Sequence, residues 1–133
     1  MKLTARQVVD RVLEVGLRQD AEAFVGLLAA DATLEWPFRP AGVPDRLQGR
    51  EEILAFMTRA ARAPIKFEEY RDVVVHETVD AEVVIVEYQV FGHVTTTGGP
   101  FHQTIIAVIR VRDGEIVSYR DYLNPLALAA ARE

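Results

Sequence analysis

The chain contains no cysteine. Disulfides, thiolate metal sites and cysteine nucleophiles are therefore excluded. Histidine is scarce as well: His76, His93 and His102 are the three present, and no two stand at an HxH, HxxxH or HExxH spacing. Neither a metal site nor a cofactor is expected. Basic charge is in deficit, with 15 Lys and Arg against 20 Asp and Glu and a net charge of −5. The basic residues are scattered, so the electrostatic footprint of a nucleic-acid binder is missing. No segment approaches the roughly 20 apolar residues needed to cross a bilayer. The N-terminal stretch carries Lys2, Arg6, Asp10, Arg11 and Glu14 and lacks the apolar core of a signal peptide. These absences lead us to expect a soluble cytoplasmic protein with neither nucleic acid nor membrane as partner. Repeats and low-complexity tracts are also missing, apart from a short alanine-rich tail over Ala127–Ala131.

What is present is a core. The 133 residues are 50% hydrophobic, enough for one domain spanning residues 1–133. Thr4 suits a helix N-cap, with Gln7 three residues on as its capping-box partner, and Val8, Val9, Val12, Leu13, Val15 and Leu17 keep helical spacing to about Arg18. A second short helix is expected after Asp20, with Phe24, Val25, Leu27 and Leu28 as its apolar stripe. Residues 31–38 alternate as a strand with Leu34, Trp36 and Phe38 on one face, and Pro37 puts that strand at an edge or an end. The Gly- and Pro-rich stretch 39–49 reads as a loop. A third helix is expected over 50–62, with Ile53, Leu54, Phe56, Met57 and Ala60 facing the core, ended by Pro64. Four strands follow, near 67–77, 82–93, 101–111 and 115–123. Asp80-Ala81, Thr97-Gly98-Gly99-Pro100 and Asp113-Gly114 supply the turns between them.

This order predicts an α+β domain: a strongly curved antiparallel sheet, a cone-like barrel, with three N-terminal helices on its concave face. Runs such as Val73-Val74-Val75 and Val83-Val84-Ile85-Val86 are apolar on both faces, so the outer face also needs a cover. With no second helical layer available, a second copy of the chain is the expected cover, making a homodimer.

The last strand carries the most chemistry. Alternation puts Val117, Tyr119, Asp121 and Leu123 on one face and Ile116, Ser118, Arg120 and Tyr122 on the other. If the first face is buried, Asp121 lies among apolar and aromatic neighbours, which raises a carboxyl pKa into the range useful for proton transfer. The other reading of the same residues makes Asp121 a satisfied polar group salt-bridged to an arginine near a strand end.

Three segments together, Asp31-Ala32-Thr33-Leu34-Glu35-Trp36-Pro37, Gly49-Arg50-Glu51-Glu52-Ile53 and Asp113-Gly114-Glu115-Ile116 with Tyr119-Arg120-Asp121-Tyr122, resemble the nuclear-transport-factor-2-like superfamily. The likeness is to its SnoaL-like and ketosteroid-isomerase-like bacterial branch and covers nearly the whole chain in element order. It implies a cystatin-like fold around a small-molecule cavity. That superfold hosts isomerases, cyclases, dehydratases, epoxide hydrolases and non-enzymatic binders, so the site must decide the function. The ketosteroid isomerase pattern would put its proton-shuttling aspartate at Trp36, its oxyanion tyrosine near Val12 and its protonated aspartate near Ala107, so this chain lacks all three groups. The C-terminus is similar to phenazine-biosynthesis A/B proteins, whose pocket acid falls on Asp121, while their helix-three histidine and serine positions hold Phe56 and Ala60. SnoaL-like cyclases likewise carry an acid near the end of the last strand.

The resemblance implies that the face of Tyr119, Asp121 and Leu123 lines the cavity. Asp121 is then the expected general acid or base, with Tyr88 or Tyr119 as hydrogen-bond donor, and the ligand is a small hydrophobic cyclic or aromatic molecule. Trp36, Phe38, Phe56, Ala60, Gln103 and Leu123 are the expected substrate-contacting residues. Two function classes fit: an acid–base isomerase, cyclase or dehydratase, and a non-catalytic ligand-binding or accessory protein. His102, of opposite parity to Gln103, is expected at an interface. Arg39 is expected at the surface near the cavity mouth, and Glu35, Glu87 and Arg120 on the outer face.

Overall fold

The computed structural model describes residues 2–127, so the alanine-rich tail beyond Ala127 lies outside the described residues. Helix α1 (Ala5–Leu17) begins at the Thr4 capping box, in which the Thr4 hydroxyl oxygen accepts from the Gln7 N–H at 3.2 Å and the Gln7 side chain accepts from the Thr4 N–H at 2.9 Å. Its Val8, Val9, Val12 and Val15 are buried, as the 3.6-residue period requires. Helix α2 (Ala21–Val25) starts at Asp20, whose carboxylate accepts from Ala23 N–H at 3.0 Å. It is shorter than expected: Leu28 opens strand β1 (Leu28–Glu35) instead of extending the helix stripe. The cause is tertiary, because the Leu27 carbonyl accepts from Ile116 N–H and ties this segment to the last strand.

A short strand, β2 (Arg46–Gln48), lies within the stretch expected as loop and pairs antiparallel with Thr33–Glu35. Helix α3 (Arg50–Ala60) follows, and then β3 (Ile65–Glu77), β4 (Val83–Val94), β5 (Pro100–Arg112) and β6 (Glu115–Leu123). The fold is α+β with one six-stranded, curved, unclosed sheet in the order β2-β1-β6-β5-β4-β3. Four of its strand pairs are antiparallel, but β1 runs parallel to β6, so the sheet is mixed rather than wholly antiparallel. Helix α3 and strands β2 to β5 intervene between β1 and β6 in sequence, a connection long enough to bring the two together in the same direction.

Three register shifts matter for the site. β3 slips against β4 between Phe67 and Glu69 and again between Arg71 and Val74. β6 carries Val117 as an extra residue, since Arg110 pairs with Ser118 and Val111 with Ile116. This bulge lets Ile116 and Tyr119, of opposite parity, both face the core. From Tyr119 onward the alternation resumes.

Candidate active site

The inward residues of β1, β3, β4, β5 and β6 and the facing sides of α1 and α3 enclose a cavity of about 670 Å³, within the roughly 300–1,000 Å³ of small-molecule sites. Its interior is aromatic. Trp36 is 5% exposed and lies tilted against Phe56 with ring centroids 4.9 Å apart. Tyr70 meets Tyr88 edge-on at 5.1 Å, and Phe24 meets Tyr119 edge-on at 5.6 Å. Such edge contacts set a positive ring rim against a negative ring face and hold the rings in place.

Asp121 stands on β6 among these rings. Its Oδ1 is buried without a hydrogen-bond partner, the one such side-chain atom among the described residues. The carboxylate is hydrogen-bonded by the Trp36 side chain, whose only donor is the indole N–H. Burial raises the Asp121 pKa to about 7, and the Trp36 hydrogen bond offsets that rise in part. Desolvation wins because, among the described residues, no cation stands close enough to Asp121 to stabilise the charged form. The alternative of an arginine salt bridge is not what the fold makes: none of its ion pairs among the described residues includes Asp121.

The Tyr88 and Tyr119 hydroxyls hydrogen-bond each other. Burial holds both phenols well above their ordinary pKa, and the nearby Asp121 charge pushes them further up. Both are therefore neutral donors at any physiological pH. The two tyrosines and Asp121 are brought into one cavity wall by β4 and β6, which flank β5.

Phe56, Ala60, Gln103 and Leu123 also line the cavity. Gln103 is 4% exposed, but its amide is committed to backbone: its Nε2 donates to Asn124 O, and its Oε1 accepts from Thr104 N–H and Asn124 N–H, all at 2.9 Å. It shapes the wall and anchors the end of β6 rather than offering a free polar group. Phe38 does not join the site. It is 62% exposed and packs edge-on against Tyr122 on the far side of the sheet. The alternation that placed it with Trp36 stops at Glu35, where β1 ends, and Pro37 turns the chain away. Arg39 is exposed and is not part of the cavity wall. His102 lies on the outer face, stacked on Phe91 and hydrogen-bonded to Gln89 at 2.7 Å.

Sequence reasoning missed Tyr70 and Arg59. Tyr70 lies three residues from the inward Phe67, a spacing that regular alternation would turn outward, and the β3 bulge turns it in. Its hydroxyl donates to the Leu13 carbonyl at 2.7 Å and fits against Gly16, where an added Cβ would stand 2.9 Å from the phenol oxygen. The available signal was Gly92 within β4, since an isolated glycine in a strand marks a bulge or close backbone approach. Arg59 and Arg62 line the cavity at its outer end, both exposed. Among the described residues, no group of three His, Asp or Glu side chains is placed to hold a metal ion.

Comparison with known proteins places this geometry in a family. The chain is 34% identical over 125 residues to the uncharacterized PhzA/B-like protein PA3332 of Pseudomonas aeruginosa, covering 93% of this chain and 86% of that one. A Bacillus subtilis structure provisionally assigned as an isomerase superposes with a TM-score of 0.88 at 34% identity, covering 96% of this chain and 91% of its own. A Xanthomonas campestris structure provisionally assigned as a polyketide cyclase does so with a TM-score of 0.79 at 26% identity, covering 97% and 96%. Residues 8–119 match the SnoaL-like domain, and the chain belongs to that family.

Proposed function

We propose that this protein is an acid–base enzyme of isomerase, cyclase or dehydratase type, with Asp121 transferring a proton on a hydrophobic cyclic or aromatic substrate that bears a carbonyl group. One observation carries the reading. A carboxylate with a partnerless buried oxygen faces an aromatic cavity, and its pKa near 7 suits it to take up and release a proton near neutrality. As base, Asp121 takes a proton from a carbon next to the substrate carbonyl, and the carbonyl oxygen gains negative charge. The Tyr88–Tyr119 pair then donates a hydrogen bond to that oxygen, stabilising charge where it develops in a water-poor site. Return of the proton from Asp121 to another substrate atom completes an isomerisation or follows ring closure. The Bacillus isomerase and Xanthomonas cyclase assignments support this class of chemistry without naming a substrate.

The reading takes the 133 residues as one domain working in the cytoplasm as a homodimer. Asp121→Asn keeps the size and removes the titrating group, so turnover should fall by about 10²–10⁴-fold while ligand binding survives. In the wild type, kcat/KM should rise with pH through an apparent pKa near 7 if Asp121 is the base, and fall if it is the acid. Undiminished turnover in Asp121→Asn would leave Asp121 structural. A ligand that binds tightly and is never converted would favour the non-catalytic binding protein.

A further inference from the structure

The cavity is electrically lopsided. Its lining includes two acids, Asp20 and Asp121, and two cations, Arg59 and Arg62. Asp121 is interior and its Oδ1 is shut off from solvent, whereas both arginines are exposed, at the end of α3 and just beyond it. Asp20 is at the rim, and its carboxylate caps α2 through Ala23 N–H. Neither guanidinium has a carboxylate within ion-pair distance among the described residues; Arg11, Arg39, Arg46 and Arg120 share that, but none of those four lines the cavity. Arg59 instead lies over the Phe56 ring, 6.0 Å from its centroid. Phe56 in turn packs on Trp36, the residue that donates to Asp121. A continuous path of rings thus runs from the free cations at the mouth to the acid inside.

We propose that the substrate is an amphipathic anion, a cyclic apolar body carrying a carboxylate, with the body against Trp36 and Asp121 and the carboxylate held at the mouth by Arg59 and Arg62. This rests on the reading of Asp121 as the reacting group and adds what holds the far end of the molecule. The charge layout permits one orientation. An anionic group pushed inward meets an apolar wall and an acid, at the cost of its own desolvation. At the mouth it keeps part of its hydration and gains two guanidinium donors of the geometry that suits carboxylates. A cationic ligand would have to pass the same two arginines. Binding energy gathered at the mouth, away from the reacting carbon, fixes that carbon over Asp121. The place of both arginines at the C-terminal end of α3 also suits the helix dipole. That role predicts an effect on stability and none on ligand charge preference, so binding separates the two.

Trp36, the sole tryptophan, lines the cavity and serves as reporter. Its fluorescence is titrated with three ligands of matched shape: 4-cyclohexylbutanoate, 4-cyclohexylbutanamide and 4-cyclohexylbutylammonium. At low salt the carboxylate should bind about tenfold more tightly than the amide, a preference that shrinks as salt rises toward 1 M, where the screening length is about 3 Å. Arg59→Gln/Arg62→Gln should bring the carboxylate down to the affinity of the amide and leave the amide unchanged, which also shows the variant is folded. The proposal is overturned if the amide or the ammonium binds as tightly as the carboxylate, if the double variant keeps the preference, or if none of the three binds. Those results leave the role of Asp121 standing, because turnover of Asp121→Asn decides that separately. A carboxylate preference alongside undiminished Asp121→Asn turnover would instead keep the anion site and remove the acid–base role.

Discussion

At the scale of the single residue, Asp121 combines two requirements that oppose each other. Folding is easier with the carboxyl neutral, while a base needs it charged. Its folded pKa of about 7 exceeds the ordinary carboxylate value, so the native state binds this proton more tightly than the unfolded chain. The resulting stability is fully present below about pH 4 and is lost as pH rises through 7. Asn cannot titrate and escapes that loss. Asp121→Asn should therefore gain on the wild type between pH 4 and pH 8 by up to roughly 4 kcal/mol, and by less to the extent that cavity water solvates the carboxylate. Urea unfolding of both proteins at the two pH values measures it, and a gap that does not change with pH would show that the carboxylate is well solvated. Tyr70→Phe is a smaller test of the same wall. It removes the hydrogen bond to Leu13 O and should cost about 1 kcal/mol, read as a lowered unfolding midpoint.

At the scale of the element, strand irregularities decide which side chains the cavity receives. Gly92 makes the first β3 slip possible. A Cβ there would lie 1.9 Å from the Lys66 carbonyl oxygen, a backbone atom that cannot swing aside. Gly92→Ala should therefore either lose more than about 2 kcal/mol or shift the β3 register and turn Tyr70 away from Tyr88. Gly98→Ala is the comparison. It meets no atom within 4 Å, and its positive φ of 76° should cost about 1 kcal/mol. Thermal unfolding of the two variants side by side tests the contrast. The helix starts, by contrast, were legible: Thr4 with Gln7 and Asp20 announce α1 and α2 because capping is a local affair between residues three apart. The extent of α2 was not, because Leu27 and Leu28 answer to β6, about ninety positions away.

At the scale of the whole molecule, the outer face of the sheet remains to be covered. Val74, Glu87, Ile106 and Tyr122 form one cross-strand row, and Phe38 packs on Tyr122. Val73, Val74, Ile106 and Phe38 are each more than 40% exposed in the isolated chain. A patch of this kind fits a homodimer interface, so sedimentation at micromolar concentration should give twice the 14.9 kDa chain mass. Ile106→Glu should move the species to the monomer. A wild-type monomer at that concentration would mean another partner covers this face.

By itself the sequence determined the order of helices and strands, the turns and the candidate acid, because caps, turn residues and alternation act over a few positions and survive without their neighbours. It placed Phe56, Tyr88, Tyr119, Asp121 and Leu123 where the fold brings them together, since each lies in a locally regular stretch, and Trp36 as well, one residue past the end of β1. Tertiary structure decided the rest. It ended β1 before Phe38, built β2 from a stretch that reads as loop, set β1 parallel to β6, turned Tyr70 inward and tied up the Gln103 amide on backbone. Each of these depends on hydrogen bonds between segments far apart in the chain. A single added or skipped residue in a strand reverses the face of every side chain after it.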